Sequence, residues 1–191
     1  MNCAKCETQE CRQGKDCTGR RDEIAAKYSD PEAETVMKVA AAIESEFYCQ
    51  KNRVEELVEF SKRMGYKKLG VAFCIGFMEE AKTLIPILEQ HFEVSSVCCK
   101  VAGITKEELG QEGADKVGKY SCNPIGQAAM LEADGTDLNI ICGLCLGHDI
   151  LFSRYSHAPV TTLIVKDRVL AHNPAAALYC RYIRRNLVKP S

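Results

Sequence analysis

The chain has 191 residues, 46% hydrophobic and 27% charged, enough for one sizeable core with a small appended module. Lys and Arg total 25 against 26 Asp and Glu, so the formal charge is −1 and the basic excess of a nucleic-acid or anionic-membrane binder is missing. No apolar run reaches the roughly 18 residues of a bilayer span, and Met1-Asn2-Cys3-Ala4-Lys5-Cys6 is unlike a signal sequence, so a soluble cytoplasmic protein is expected.

Residues 1–23 hold Cys3, Cys6, Cys11 and Cys17 among polar neighbours, and Ile24 is the first branched aliphatic. Such a stretch buries too little apolar surface to fold unaided, which marks it as a cysteine-rich module apart from residues 24–191. Asp30-Pro31 is a cap followed by a good first helical residue, and Val36, Val39, Ala40, Ile43 and Phe47 continue at helical spacing. Asn52 with Glu55 forms a capping box before a second apolar stripe, Val54, Leu57, Val58 and Met64, that ends at Gly65.

Strands and helices then alternate. The strands are Leu69 to Cys74, Val94 to Cys98, Leu138 to Cys142 and Val160 to Val165. Between and after them come a helix past Gly76 that Pro86 should kink, a helix opened by Asn123-Pro124, a short one from Gly147 to Tyr155, and a last one capped by Asn173-Pro174 that runs through Leu178, Tyr182 and Ile183. Residues 100–121 are a long polar connection with a helical turn at Thr105 to Leu109. Within it residues 103–120, with Gly103, Gly110, Gly113 and Gly118, are expected to cover a site as a mobile segment. This order predicts an α/β fold: an open, mostly parallel, Rossmann-like sheet of about four strands with helices on both faces.

Cysteine is the compositional outlier, at 12 residues. In a chain read as cytosolic, that number points to metal or redox chemistry. Cys74 ends the first strand, Cys98 and Cys99 the second, Cys145 follows the third, and Cys122 precedes the Asn123-Pro124 cap. In a parallel sheet these positions lie along the carboxyl edge, where ligands bind, and beside helix N-termini, which favour thiolates. Cysteine is also a common small core filler. That reading is preferred for Cys49 and Cys180, and for Cys142 inside its apolar run. Cys98 and Cys99 face opposite ways on a continuous strand, so one of them serves, with Cys99 preferred.

The N-terminal Cys3-x2-Cys6-x4-Cys11-x5-Cys17 spacing also suits a metal, either a [4Fe–4S] cluster or zinc held by four thiolates. His148 and His172 are candidate proton donors at the edge, His157 and the trio Lys166-Asp167-Arg168 are weaker candidates, the trio more often a solvated turn, and His91 suits the helix end where it sits. The basic tail Arg181, Arg184, Arg185 and Lys189 looks like a solvated helix face. No Gly-x-Gly-x-x-Gly and no phosphate-binding loop occurs, so neither a dinucleotide nor a triphosphate is indicated.

Val97-Cys98-Cys99-Lys100, Cys122-Asn123-Pro124-Ile125, Gly143-Leu144-Cys145-Leu146-Gly147-His148-Asp149, Ala158-Pro159 and Lys166-Asp167-Arg168-Val169 through His172-Asn173-Pro174 together carry a resemblance. Across essentially its whole length the chain resembles a domain-of-unknown-function family of cysteine-rich, predicted metal-binding proteins from mainly anaerobic bacteria and archaea. The resemblance implies metal binding and no particular reaction. The leading expectation is an iron–sulfur redox protein or enzyme, of the reductase or desulfurase-like kind, with one or two clusters. Its edge cluster is held by Cys74, Cys99, Cys122 and Cys145, or by three of them. It would act on a small-molecule substrate or an electron-transfer partner. The alternative is a zinc-binding or metal-trafficking protein. A third reading is a thiol oxidoreductase cycling Cys98 with Cys99, or Cys142 with Cys145.

Overall fold

The computed structural model describes residues 1–111 and 117–188. The chain divides into two compact units, Met1–Gln50 and Lys51–Ser191.

In the first unit the cysteine-rich segment forms two short 3-10 turns, Cys3–Lys5 and Glu10–Gln13. Two helices follow, α1 (Arg21–Ala26) and α2 (Pro31–Phe47), so this unit extends well beyond residue 23. Asp30 caps α2 as its sequence implies, its carboxylate accepting the Ala33 N–H at 2.9 Å. Cys49 is not the core filler expected of it. It is exposed, in a turn after α2, with φ 57°.

The second unit opens with α3 (Arg53–Met64), where Asn52 and Glu55 make both halves of the capping box. Four parallel strands follow, β1 (Lys68–Phe73), β2 (Glu93–Cys98), β3 (Leu138–Cys142) and β4 (Val160–Ile164), in the order β2-β1-β3-β4. The central strands β1 and β3 are almost wholly buried and the outer two half-buried, as expected when helices cover a sheet. The helices α4 (Met78–Glu89), α5 (Pro124–Ala133) and α6 (His148–Tyr155) make the crossovers. Right-handed connections place α4 on one face and α5 with α6 on the other. The connections leave in opposite directions from β1 and β3, so the crevice of the sheet opens between the carboxyl ends of these two strands.

Leu69, Val71, Leu88, Leu131, Ile140 and Phe152 lie in the core. Two buried polar side chains fasten the layers. Asn139 donates to Ser156 Oγ and accepts from Thr136 Oγ1, both at 2.8 Å, which ties β3 to the end of α6. Gln127 of α5 donates to Phe73 O at 3.1 Å and Val97 O at 2.7 Å, clasping the ends of β1 and β2.

Past the sheet, the single last helix expected through Ile183 is broken at Cys180. There the backbone turns extended (φ −71°, ψ 112°) between α7 (Ala176–Tyr179) and α8 (Arg181–Leu187). Of the expected cover over 103–120, residues 112–116, Gly113 included, lie outside the described residues, as does Lys189 of the basic tail. The described flanks are tied together by a Thr105–Tyr120 bridge and a Ser121 to Gln111 hydrogen bond of 2.8 Å. No helix among the described residues is long and apolar enough to cross a membrane.

Candidate functional site

Four loops bring thiols to the carboxyl edge. Cys74 leaves β1 in extended conformation and its carbonyl accepts the Phe77 N–H at 2.8 Å, closing the first turn before α4. Cys99 continues the pairing one residue past β2, its N–H bonded to Phe73 O at 2.9 Å, and is 1% exposed. Cys122 directly precedes the Asn123 cap of α5, where Asn123 Oδ1 accepts the Gly126 N–H at 2.8 Å. Cys145 lies in the loop from β3 to α6, and its carbonyl takes the first N–H groups of that helix, from His148 at 2.9 Å and Asp149 at 3.1 Å.

The sulfurs are linked in a chain, with Cys99 hydrogen-bonded to both Cys122 and Cys74, and Lys166 bridging Cys74 to Cys145. Cys99 Sγ stands 3.7 Å from Cys122 Sγ, and the Ile75 N–H donates to Cys99 Sγ at 3.3 Å. Cys74 and Cys145 share the Lys166 ammonium, which donates to Cys74 Sγ and lies 3.6 Å from Cys145 Sγ. The Arg168 guanidinium adds a second donor to Cys145 at 3.3 Å. Among the described residues, no three His, Cys, Asp or Glu side chains are gathered so as to hold a single metal ion.

These contacts divide the protons unequally. A hydrogen bond from Cys99, with a further one from Lys166, outweighs burial and takes Cys74 down to about 5. Hydrogen bonds from Cys99 and then His148 take Cys122 down to about 4, with Lys100 adding positive charge. Cys99 moves strongly upward, through its hydrogen bonds with Cys122 and Cys74 and its burial.

The other sequence candidates are placed as follows. Cys98 packs half-buried against the core and makes none of the sulfur contacts above. Cys142 is fully buried, as its apolar run implies, and burial pushes its thiol up to about 11. Cys180 is half-buried. His148 begins α6 and hydrogen-bonds Cys122. His172 is exposed and reaches the site only indirectly. Its Nδ1 accepts the Asp167 N–H at 3.1 Å and its ring lies 4.5 Å from that of Phe77. In the first unit Cys3, Cys6, Cys11 and Cys17 are all exposed, and their hydrogen bonds are local: Cys6 Sγ to Thr8 Oγ1 and Cys11 Sγ to Gln9 O, each 3.8 Å.

Sequence reasoning ranked Lys166 and Arg168 only as weaker candidates, more often a solvated turn. It missed Phe77, whose ring lies 5.3 Å below Lys166 Nζ. Their sequence signal is weak, although the trio does lie just past the end of β4, on the same edge as the cysteines. Gly143 makes room for Phe77: its φ is 68°, and a Cβ there would stand 2.2 Å from the ring. A separate apolar groove of about 410 Å³, lined by residues such as Val54, Leu84 and Leu163, contains no cysteine.

An open parallel α/β unit with a thiol-lined carboxyl edge and two cations upon it is the class of protein these features define. More particularly, the chain belongs to the family described as protein of unknown function DUF1847, whose pattern it matches over residues 11–163. It is also similar to the uncharacterized protein MJ0455 of Methanocaldococcus jannaschii, with 51% identity over 193 residues covering 99% of each chain. No solved structure matches it.

Proposed function

We propose that the chain is a metal-binding protein whose carboxyl edge holds an iron–sulfur cluster through Cys74, Cys99, Cys122 and Cys145, or three of these. The observation that carries this reading is the meeting of four thiols from four separate loops at the crevice, opposed by Lys166 and Arg168. A cluster takes its thiolates on separate irons, and ligands on four separate loops around one crevice can approach it from different sides. A single zinc ion would need all four sulfurs at about 2.3 Å from one point. When bound, such a cluster supplies one-electron transfer and, with three thiolates, a Lewis-acidic iron open to a small molecule. The chain's own part is to fix the thiolates and, through His148 beside Cys122, to place an imidazole at the edge. Cys3, Cys6, Cys11 and Cys17 form a second, separate metal module under the same proposal, supported by their spacing and polar surroundings.

One observation favours zinc at the edge instead. The 3.7 Å between Cys99 and Cys122 matches two thiolates on one tetrahedral ion, which 2.3 Å bonds place about 3.8 Å apart.

Anaerobic purification with iron, zinc and acid-labile sulfide analysis separates these readings. Iron and sulfide in equal amounts are expected. In protein lacking residues 1–23 they should disappear with Cys122→Ser or Cys145→Ser and persist with Cys98→Ala or Cys142→Ala. Zinc without sulfide would replace the cluster by the zinc site. A metal-free protein with a titratable disulfide would leave thiol redox chemistry.

A further inference from the structure

Lys166 and Arg168 are held against the thiols by a stiff turn. The Asp167 between them accepts the N–H groups of Val169 and Leu170, both at 2.9 Å, so its carboxylate serves the turn itself. The His172 N–H returns to Asp167 O at 2.9 Å and His172 Nδ1 takes the Asp167 N–H, a double tie that requires positive φ at Ala171 (49°) and His172 (62°). Phe77 supports the arrangement from below, in contact with both the Lys166 ammonium and the His172 ring. Among the described residues neither Lys166 nor Arg168 forms an ion pair with a carboxylate. Their partners are the sulfurs of Cys74 and Cys145, which lie in the loops that follow the two strands bordering the crevice.

Reduction adds negative charge that a cluster shares with its thiolate sulfurs, so N–H donors and cations on those sulfurs stabilise the reduced form. We propose that Lys166 and Arg168 are positioning residues that raise the reduction potential of the edge cluster by holding positive charge and hydrogen-bond donors on Cys74 and Cys145. This rests on the iron–sulfur reading above. One electron arrives from a low-potential reductant and stays on the cluster, and no bond to the protein forms or breaks. Lys166 has the larger share, because it is half-buried and meets two sulfurs. Arg168 is exposed, meets one sulfur, and is screened by water and salt.

The test uses the full chain with its cluster, comparing wild type with Lys166→Met, Lys166→Arg and Arg168→Gln. Iron and sulfide are counted, and the midpoint is measured by dithionite titration followed by electron paramagnetic resonance. The expected result is unchanged iron and sulfide with a midpoint lowered most in Lys166→Met, less in Arg168→Gln, and largely restored in Lys166→Arg. A full cluster with an unmoved midpoint in both Lys166→Met and Arg168→Gln overturns the inference and leaves the iron–sulfur reading standing. Loss of iron from Lys166→Met together with a wild-type midpoint in Arg168→Gln also overturns it, since Lys166 would then merely hold the ligands. Wild-type protein without iron overturns both.

Discussion

The two cysteine groups differ in what places them. Cys3, Cys6, Cys11 and Cys17 are gathered by sequence alone in an exposed segment, where Cys6 and Cys11 bond to residues two positions away. Cys74, Cys99, Cys122 and Cys145 are gathered by the sheet, and their partners lie 21 to 92 residues distant. A local group depends on its metal for order, whereas an assembled group inherits rigidity from the core beneath it. Chemistry follows the same division. Only at the edge do thiols acquire large, opposed proton affinities, because only there are they packed against one another and against cations.

If the edge is set by packing, changes to its supports should be felt by the whole unit. The largest effect is expected from Gly143→Ala. It forces a side chain into left-handed backbone and against the buried Phe77 ring, for a loss of about 3 kcal/mol in urea unfolding. A loss below 1 kcal/mol would mean that Phe77 moves aside freely and the cation turn has no firm floor. Next comes Gln127→Leu, which abandons the carbonyls of Phe73 and Val97. About 2 kcal/mol is expected, moderated because Gln127 Oε1, itself buried and without a hydrogen-bond partner among the described residues, disappears with the amide. An unchanged unfolding midpoint would show that the strand ends do not need this clasp.

The sheet was legible because β1 and β3 are short, mostly apolar runs and β2 and β4 are short and carry β-branched residues, and because Asp30, Asn52 and Asn123 announce their helices through local hydrogen bonds. The carboxyl-edge cysteines were legible for the same reason, since strand ends locate them. Lys166 and Arg168 were not: their partners are brought close only by the parallel register of β1, β3 and β4. Gln127 and the pairing of Phe77 with Gly143 have no periodic signature either. The break at Cys180 and the exposure of Cys49 both escaped patterns that record hydrophobic spacing and not the backbone angle of a single residue.

A smaller effect distinguishes the buried filler from its reactive neighbours. Burial first, then the charges of Glu80 and Cys74, push the Cys142 thiol up to about 11 in the folded protein, against an ordinary 9.0. The unfolded chain therefore ionises first as pH rises. The stability this group contributes is complete below pH 9 and is lost progressively between about pH 9 and 11, by about 2 kcal/mol at the upper end. Urea unfolding across that range should show the decline in wild type and a shallower one in Cys142→Ala. Equal slopes would mean that this thiol titrates alike in both states.

The smallest effect, and the sharpest contrast, is expected in the N-terminal group. Replacing Cys3, Cys6, Cys11 and Cys17 together by Ser removes sulfurs that bury nothing and bond only to adjacent turns. In metal-stripped protein the change should leave the urea midpoint and its slope where they were, because no core contact or long-range hydrogen bond is lost. In protein prepared with metal, the same variant should lose the N-terminal share of the metal and keep the share bound at the edge. A destabilised apo variant would mean that these thiols are packed elements of their unit. Loss of all metal from a variant that remains folded would mean that the two groups complete one shared centre. In either case the division between a group placed by sequence and a group placed by the sheet would fail.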